Sequence, residues 1–149
     1  MQALYWDGHE LSRNLSYPTP QTSKIEDRGS KIVGATGGRP ESANDQVALI
    51  KVHLAGICST DLQIFKGYMD FRGVPGHEFV GSVVAGPLEL IKKRVVGEIN
   101  FACGRCDYCH RGLGRHCPSR SVMGILGADG AFAEFVSVPV SNLHVVSEA

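Results

Sequence analysis

Four cysteines lie within fifteen residues of this sequence at the spacing of metal ligands. Two, two and seven residues separate Cys103, Cys106, Cys109 and Cys117. A stretch this short and this rich in Gly and Arg cannot build an apolar core, so its backbone needs another constraint. Four thiolates that converge on one ion supply that constraint, and tetrahedral coordination by four sulfurs is the usual closed, structural zinc site. The sequence therefore predicts a zinc-binding lobe over residues 100–118 that serves as scaffold.

Disulfides, an iron–sulfur cluster and unconnected cysteines are the alternatives for the same stretch. Disulfides suit a secreted protein, but the N-terminus lacks the basic and apolar regions of a signal peptide. An iron–sulfur cluster suits the spacing of the first three cysteines, but the fourth arrives after seven residues and not three. The spacing favours zinc.

A fifth cysteine and a histidine, Cys58 and His77, stand nineteen positions apart, each beside the end of a predicted strand. Zinc binds thiolate and imidazole readily, and one of each leaves room for another ligand and for a substrate. Glu78 is the local candidate, although adjacent residues of an extended strand point to opposite faces. We therefore expect Glu78 behind the ion, unless the backbone bends at Gly76. A small buried cysteine and a hydrogen-bonded loop histidine remain the alternative interpretation.

Short β-branched runs separated by glycines dominate the chain, which predicts a mainly β fold, a barrel or sandwich with little helix. The run 46–57 is apolar at nearly every position, so we expect it to be a central strand. A short helix follows Cys58, with Thr60 and Gln63 as a capping box and Gly67 as its stop. The expected strands are residues 2–6, 11–17, 46–57, 79–85, 94–99, 122–126, 131–138 and 142–146.

Residues 18–45 interrupt this pattern. They are rich in Pro, Thr, Ser, Gly and Asn, which predicts either a long surface loop with one short strand at Lys31–Val33 or a partly disordered segment. No function is assigned to this loop.

Bulk composition indicates one domain, 1–149, and excludes several partner classes. The chain has 149 residues, of which fifteen are basic and fifteen acidic. Zero net charge offers no electrostatic basis for binding nucleic acid or an anionic membrane. No apolar run reaches the length of a membrane span. Thiolate ligands need a reducing compartment, so we expect a cytoplasmic protein.

Several motifs, in order, resemble the zinc-containing medium-chain alcohol dehydrogenases. They are Gly56-Ile-Cys58-Ser-Thr-Asp61, Gly76-His77-Glu78-Phe-Val-Gly81, the four-cysteine stretch and Gly130-Ala-Phe-Ala-Glu134. The likeness covers residues 46–149, and residues 94–146 are most similar to the branch that includes sorbitol, threonine and glucose dehydrogenases. It implies a GroES-like catalytic domain, a β-barrel-like fold with a short helix, a zinc-binding lobe and two zinc sites.

The resemblance also implies a role for each matching residue. Cys58 and His77 would bind the catalytic zinc, and Glu78 would lie beside it, either behind the ligands or as an exchangeable ligand. Thr60 would relay the proton of a small alcohol substrate, and Asp61 would orient the site. The structural zinc would be held by Cys103, Cys106, Cys109 and Cys117. Zinc would act as a Lewis acid, and hydride would pass to NAD or NADP.

A dinucleotide-binding motif is missing from these 149 residues. Gly34–Gly38 and Gly124–Gly130 have the wrong spacing for a G-x-G-x-x-G turn and lack its strand–helix context. We expect the chain alone to be inactive unless a Rossmann-domain partner supplies NAD or NADP. The alternative is a non-enzymatic zinc-binding or interaction module. An unpaired barrel should also expose an apolar face, which predicts a homo-oligomer or poor solubility.

Overall fold

The computed structural model describes residues 1–21 and 46–147. The predicted strand at Lys31–Val33 and most of the predicted loop 18–45 lie outside these residues. Within them, no helix is long and apolar enough to cross a membrane.

Short strands are the main secondary structure of the described chain, as the sequence predicts, and the chain also forms two short α-helices. The strands are β1 Ala3–Trp6, β2 Leu11–Asn14, β3 Val47–Gly56, β4 Glu78–Ala85, β5 Arg94–Gly97, β6 Asn100–Phe101, β7 Ser121–Met123, β8 Gly127–Ala128, β9 Phe135–Pro139 and β10 Leu143–Val145. The helices are α1 Ser59–Ile64 and α2 Asp107–His110.

The main sheet has five antiparallel strands in the order β10-β5-β4-β3-β9 and curls into a half-barrel. A GroES-like fold is mainly β in the same way, so the predicted fold class is confirmed. The sheet buries one apolar cluster, and each large side chain in it contributes about 1.5–3 kcal/mol of burial free energy. The cluster consists of Ala48, Ile50, Phe79, Val83, Val95, Phe101, Met123, Ala131, Val136 and Val138.

Strand β3 lies between β4 and β9. The predicted central position is confirmed for the first half of the strand only. Residues 47–51 pair with β9, whereas the remainder of β3 pairs with β4 alone after a register shift. Leu54 on that second half is 70% exposed. The uniformly apolar sequence therefore reflects two environments, a buried half and an exposed half.

Helix α1 begins earlier than the sequence predicts. Cys58, not Thr60, is its N-cap, and Asp61 occupies the position expected for Gln63. The Oδ2 atom of Asp61 accepts a hydrogen bond from the Cys58 N–H at 2.8 Å, because an aspartate three residues after the N-cap can reach back to the N-cap N–H group. The predicted stop is present, since Gly67 has φ +92° and its N–H donates to the Ile64 carbonyl at 2.9 Å.

The predicted strand 131–138 is shorter than expected. Strand β9 starts only at Phe135, because residues 130–132 bond instead to the turn at residues 74–76. That turn leads directly into His77.

Candidate metal centres

The four cysteines of the lobe converge in the structure. Cys106 Sγ lies 3.5 Å from Cys109 Sγ and 3.8 Å from Cys117 Sγ, and Cys103 Sγ lies 3.9 Å from Cys109 Sγ. Sulfurs held about 2.3 Å from one zinc ion at tetrahedral angles are separated by about 3.8 Å. A disulfide would need about 2.05 Å, and all five cysteines of the chain are free thiols. The lobe therefore fits a four-sulfur zinc site.

Local backbone elements position these sulfurs. Cys106 is the N-cap of α2, so Cys109 follows on the same short helix. Cys117 ends the 3₁₀ turn Gly114–His116 and is fully buried. The Cys103 N–H donates to Cys117 Sγ at 3.5 Å, which closes the loop on itself.

Backbone N–H groups lower the pKa of a thiol in this lobe, whereas burial raises it. The N–H of Arg105 donates to the Cys103 sulfur and lowers its pKa to about 6. Burial, followed by hydrogen bonding to Cys106, raises the pKa of Cys109 to about 11. Because a metal binds the thiolate, Cys103 is a ligand that is already ionised near neutral pH, whereas the ion must displace the proton of Cys109.

A second group of donor atoms lies at the junction of β3, α1 and β4. Gly56 at the end of β3 pairs with Glu78 at the start of β4, and this register places the segments that carry Cys58 and His77 side by side. One ligand atom each from Cys58, His77 and Glu78 lies within 4.8 Å of the others. Three donors leave one tetrahedral position open, which is the pattern of a catalytic zinc site. Sulfur, nitrogen and oxygen donors all suit zinc.

The position of Glu78 differs from the sequence-based expectation. Alternation along a strand placed Glu78 behind the ion, but His77 precedes β4 and does not belong to it. Gly76 has φ +93°, so the chain bends just before these two residues, and the carboxylate reaches the same space as the imidazole. Gly56 leaves room for it, since a Cβ there would lie 2.6 Å from Glu78 Oε2. Their assignment as ligands stays a prediction.

Asp61 connects the two remaining members of this group. Its side chain is fully buried, and its Oδ1 atom lies 3.3 Å from His77 Nδ1. The other carboxylate oxygen accepts the Cys58 N–H, as described for α1. Thr60 is half-buried, with its hydroxyl 3.7 Å from Cys58 Sγ. The structure thus places all four residues, and Glu78, at one site.

The sequence did not identify residues 130–132 as part of this site. Their three backbone N–H groups donate to the carbonyls of Val74, Pro75 and Gly76. The motif that begins at Gly130 was visible in the sequence, but nothing in it indicated a contact with a turn more than fifty residues earlier.

The described fold thus combines a curled β-sheet with two candidate metal centres, one of four cysteines and one of mixed donor atoms. The chain belongs to the family of alcohol dehydrogenase GroES-like domains, whose pattern matches residues 44–148.

Curated relatives support the same family. The medium chain reductase/dehydrogenase ucsI of an Acremonium species is 37% identical over 114 residues, which cover 72% of this chain and 39% of that protein. An L-threonine 3-dehydrogenase of Streptomyces coelicolor is 44% identical over 107 residues, 65% of this chain and 31% of its own length. The chain therefore spans roughly a third of these relatives.

Solved structures give the same fold. An alcohol dehydrogenase from Escherichia coli CFT073, solved with NADH, has a TM-score of 0.75 and 27% identity, and the match covers 99% of this chain and 39% of that one. Alcohol dehydrogenase TADH from a Thermus species has a TM-score of 0.69 and 30% identity, with 99% and 40% of the two chains covered.

Proposed function

We propose that this chain is the zinc-binding catalytic domain of an alcohol or polyol dehydrogenase-like oxidoreductase. The observation that carries the proposal is the convergence of Cys58, His77 and Glu78 within 4.8 Å, with one coordination position open. A structural site alone would need only the four cysteines of the lobe. The second group has no structural purpose of comparable clarity, because Glu78 is exposed and would not stabilise a core.

Each residue of the site has a role in this proposal. Cys58, His77 and Glu78 would hold zinc, which when bound polarises the alcohol oxygen of a substrate. Asp61, whose Oδ1 atom lies 3.3 Å from His77 Nδ1, would keep the imidazole proton on Nδ1 and so leave Nε2 free to bind the ion. Thr60, half-buried beside Cys58, would accept the proton of the substrate hydroxyl and pass it outward.

The substrate class that we propose is a small secondary alcohol or polyol. Relatives that support it include D-altritol 5-dehydrogenase of Agrobacterium fabrum, 38% identical, and the L-threonine 3-dehydrogenases. The hydride acceptor would be NAD or NADP, bound by a Rossmann domain that a longer polypeptide or a partner chain contributes. A reducing, cytoplasmic compartment suits the thiolate ligands.

Residues 1–149 alone should then bind zinc without oxidising alcohols. The test is metal analysis of the 149-residue chain, followed by turnover assays with NAD or NADP and a panel of polyols and amino alcohols. The same assays are repeated with the dinucleotide-binding half of a relative supplied as a separate chain. We expect two zinc ions per chain, no turnover alone, and alcohol-dependent reduction of the nicotinamide after complementation.

Cys58→Ser is the matched control because it removes one donor and leaves the lobe intact. We expect it to bind one zinc ion and to give no turnover after complementation. One zinc ion in the unaltered chain would contradict the proposal and favour a non-enzymatic zinc-binding module. Turnover by residues 1–149 alone would contradict the role given to a separate Rossmann domain.

A further inference from the structure

Two glycines from a distant segment enclose the turn that precedes His77. A Cβ placed on Gly124 would lie 2.4 Å from the carbonyl oxygen of Gly76, and one on Gly130 would lie 2.1 Å from the same atom. Non-bonded heavy atoms rest about 3.5–4.0 Å apart, so no side chain fits at either position. The bare backbone at Gly124 and Gly130 therefore determines where Gly76 lies.

Hydrogen bonds join the same two segments. The N–H of residue 130 donates to the residue 74 carbonyl at 2.6 Å, residue 131 to residue 76 at 2.8 Å, and residue 132 to residue 75 at 3.0 Å. All three acceptor residues are buried. Water cannot replace these partners easily, so moving the turn would leave buried carbonyls unpaired.

We propose that Gly124 and Gly130 are positioning residues for the metal centre of Cys58, His77 and Glu78. The backbone at Gly124 and at residues 130–132 forms a surface, here called the seat, against which residues 74–76 pack. The seat positions the His77 ring beside Asp61 and the other two donors. This inference rests on the proposed function for the metal centre itself. The seat and its contacts are independent of any ion.

The chain contains a matched control for backbone strain. Gly124 and Gly127 both have φ +64°, so an alanine at either position carries the same left-handed penalty. Only Gly124 contacts the turn, because a Cβ on Gly127 would meet nothing closer than Ser121 Cβ at 3.7 Å. Gly130 does not have a positive φ, so alanine there tests the contact without that strain.

The experiment titrates zinc into the metal-free 149-residue chain and its Gly124→Ala, Gly130→Ala and Gly127→Ala variants. We expect the first equivalent, held by the lobe, to bind equally tightly in all four proteins. The second equivalent should bind about 10–100-fold more weakly in G124A and G130A, the range for lost support around a metal ligand. G127A should retain the affinity of the unaltered chain.

Two outcomes of the titration would overturn the proposal. In one, G124A and G130A bind the second equivalent as tightly as the unaltered chain. In the other, G127A loses as much affinity as G124A, which would assign the effect to backbone strain. Should either glycine variant fail to fold, Phe132→Leu is the substitute, because the Phe132 ring packs against Gly76. It should weaken the second equivalent about tenfold, and an unchanged affinity would count against the seat.

A second measurement separates this inference from the proposed function. In the metal-free chain, NMR contacts between the His77 ring and the Asp61 β protons report the position of the imidazole directly. We expect these contacts in the unaltered chain and G127A and their loss in G124A and G130A. If the unaltered chain bound only one zinc ion, the proposed function would fail, and the NMR contacts alone would decide the positioning role. Their persistence in every variant would refute it.

Discussion

His77 Nδ1 faces Asp61 Oδ1 at 3.3 Å, and the two side chains are 7% and 0% exposed. The two atoms are close enough for an ion pair but do not form a hydrogen bond, and neither has a hydrogen-bond partner in the described part of the chain. A buried carboxylate in this position keeps the proton on Nδ1, which leaves Nε2 as the imidazole lone pair. Because the second oxygen of Asp61 accepts the Cys58 N–H, one carboxylate positions two of the three predicted zinc ligands.

Asp61→Asn tests this relationship. An amide oxygen can still accept the Cys58 N–H and keep α1 capped, but its NH₂ group then faces His77 Nδ1. That donor would favour the tautomer with the proton on Nε2, the wrong one for a ligand. We expect the second zinc equivalent to bind about 10–100-fold more weakly, with the lobe site unchanged. The measurement is zinc titration against a chromogenic chelator.

Asp70→Asn is the control for Asp61→Asn, since Asp70 is exposed. It should leave both affinities unchanged. Equal affinity of D61N and the unaltered chain for the second equivalent would show that Asp61 does not orient His77.

Cys106→Ser should remove the zinc ion of the lobe. Cys106 Sγ contacts two of the other three sulfurs, so no remaining set closes the tetrahedron. Apparent binding free energies for structural zinc reach about 10–16 kcal/mol in small peptides. Losing even about 3 kcal/mol of that stabilisation lowers the melting temperature by roughly 6–12 °C in a chain of this size. Metal analysis and calorimetry measure the two effects.

The matched variant for Cys106→Ser is Cys58→Ser, which should lose the other zinc ion and melt nearer to the unaltered chain. If C106S kept its full zinc content and melting temperature, the lobe would not be a zinc-dependent scaffold.

Cys103 should react faster than Cys109 in the metal-free chain. Its pKa is lowered to about 6, chiefly by the Arg105 N–H, whereas burial raises the pKa of Cys109 to about 11. The thiolate is the nucleophile, so alkylation of Cys103 should have a midpoint near pH 6, and Cys109 should remain slow at pH 8. Mass spectrometry after iodoacetamide treatment of the chelator-stripped protein measures the individual rates.

The lowered pKa of Cys103 also makes the stability of the metal-free fold depend on pH. Between the folded pKa of about 6 and the usual value of 9.0, the unfolded chain binds the Cys103 proton and the folded chain does not. The Arg105 interaction therefore stabilises the metal-free fold fully above that window and is lost as the pH falls through about 6. In urea Cys103 should titrate near its usual value of 9.0. A Cys103 midpoint that remained the same with and without urea would refute the effect of the backbone.

The second half of β3 should promote self-association. Leu54, where β3 pairs with β4 alone, is 70% exposed, and Ile57, the residue after β3, is 77% exposed. Exposed apolar side chains favour burial against another surface. We expect sedimentation velocity to show concentration-dependent oligomers of the unaltered chain and mainly monomer for Leu54→Glu with Ile57→Lys. Leu88→Lys, a change at an exposed leucine outside β3, should leave association unchanged.

A monomer at every concentration of the unaltered chain would contradict the predicted homo-oligomer. Equal effects of the Leu88 variant and the double variant would show general solubility, and not the β3 surface, to be the cause.

Residue chemistry and local spacing were enough to predict the cysteine lobe, the mainly β fold and the candidate ligands Cys58 and His77. These features are local, because ligand types and strand periodicity act over a few residues. The predicted N-cap of α1 was wrong by two residues, Thr60 in place of Cys58. Thr60 and Asp61 both suit the first turn of a helix, and only the backbone path decides where that turn begins. The exposed half of β3 was also missed, because an apolar run looks the same whether or not a second strand covers it.

By itself, then, the sequence determined which donor atoms are available, because metal preference follows from the side chains alone. Only the tertiary structure decided how those donors meet. It placed Asp61 behind His77, brought Glu78 to the same side through the bend at Gly76, and seated that bend on Gly130. Each of these contacts joins segments that are far apart in the chain or depends on a backbone angle. The spacing of residues in the sequence specifies neither the long-range contacts nor the backbone angles.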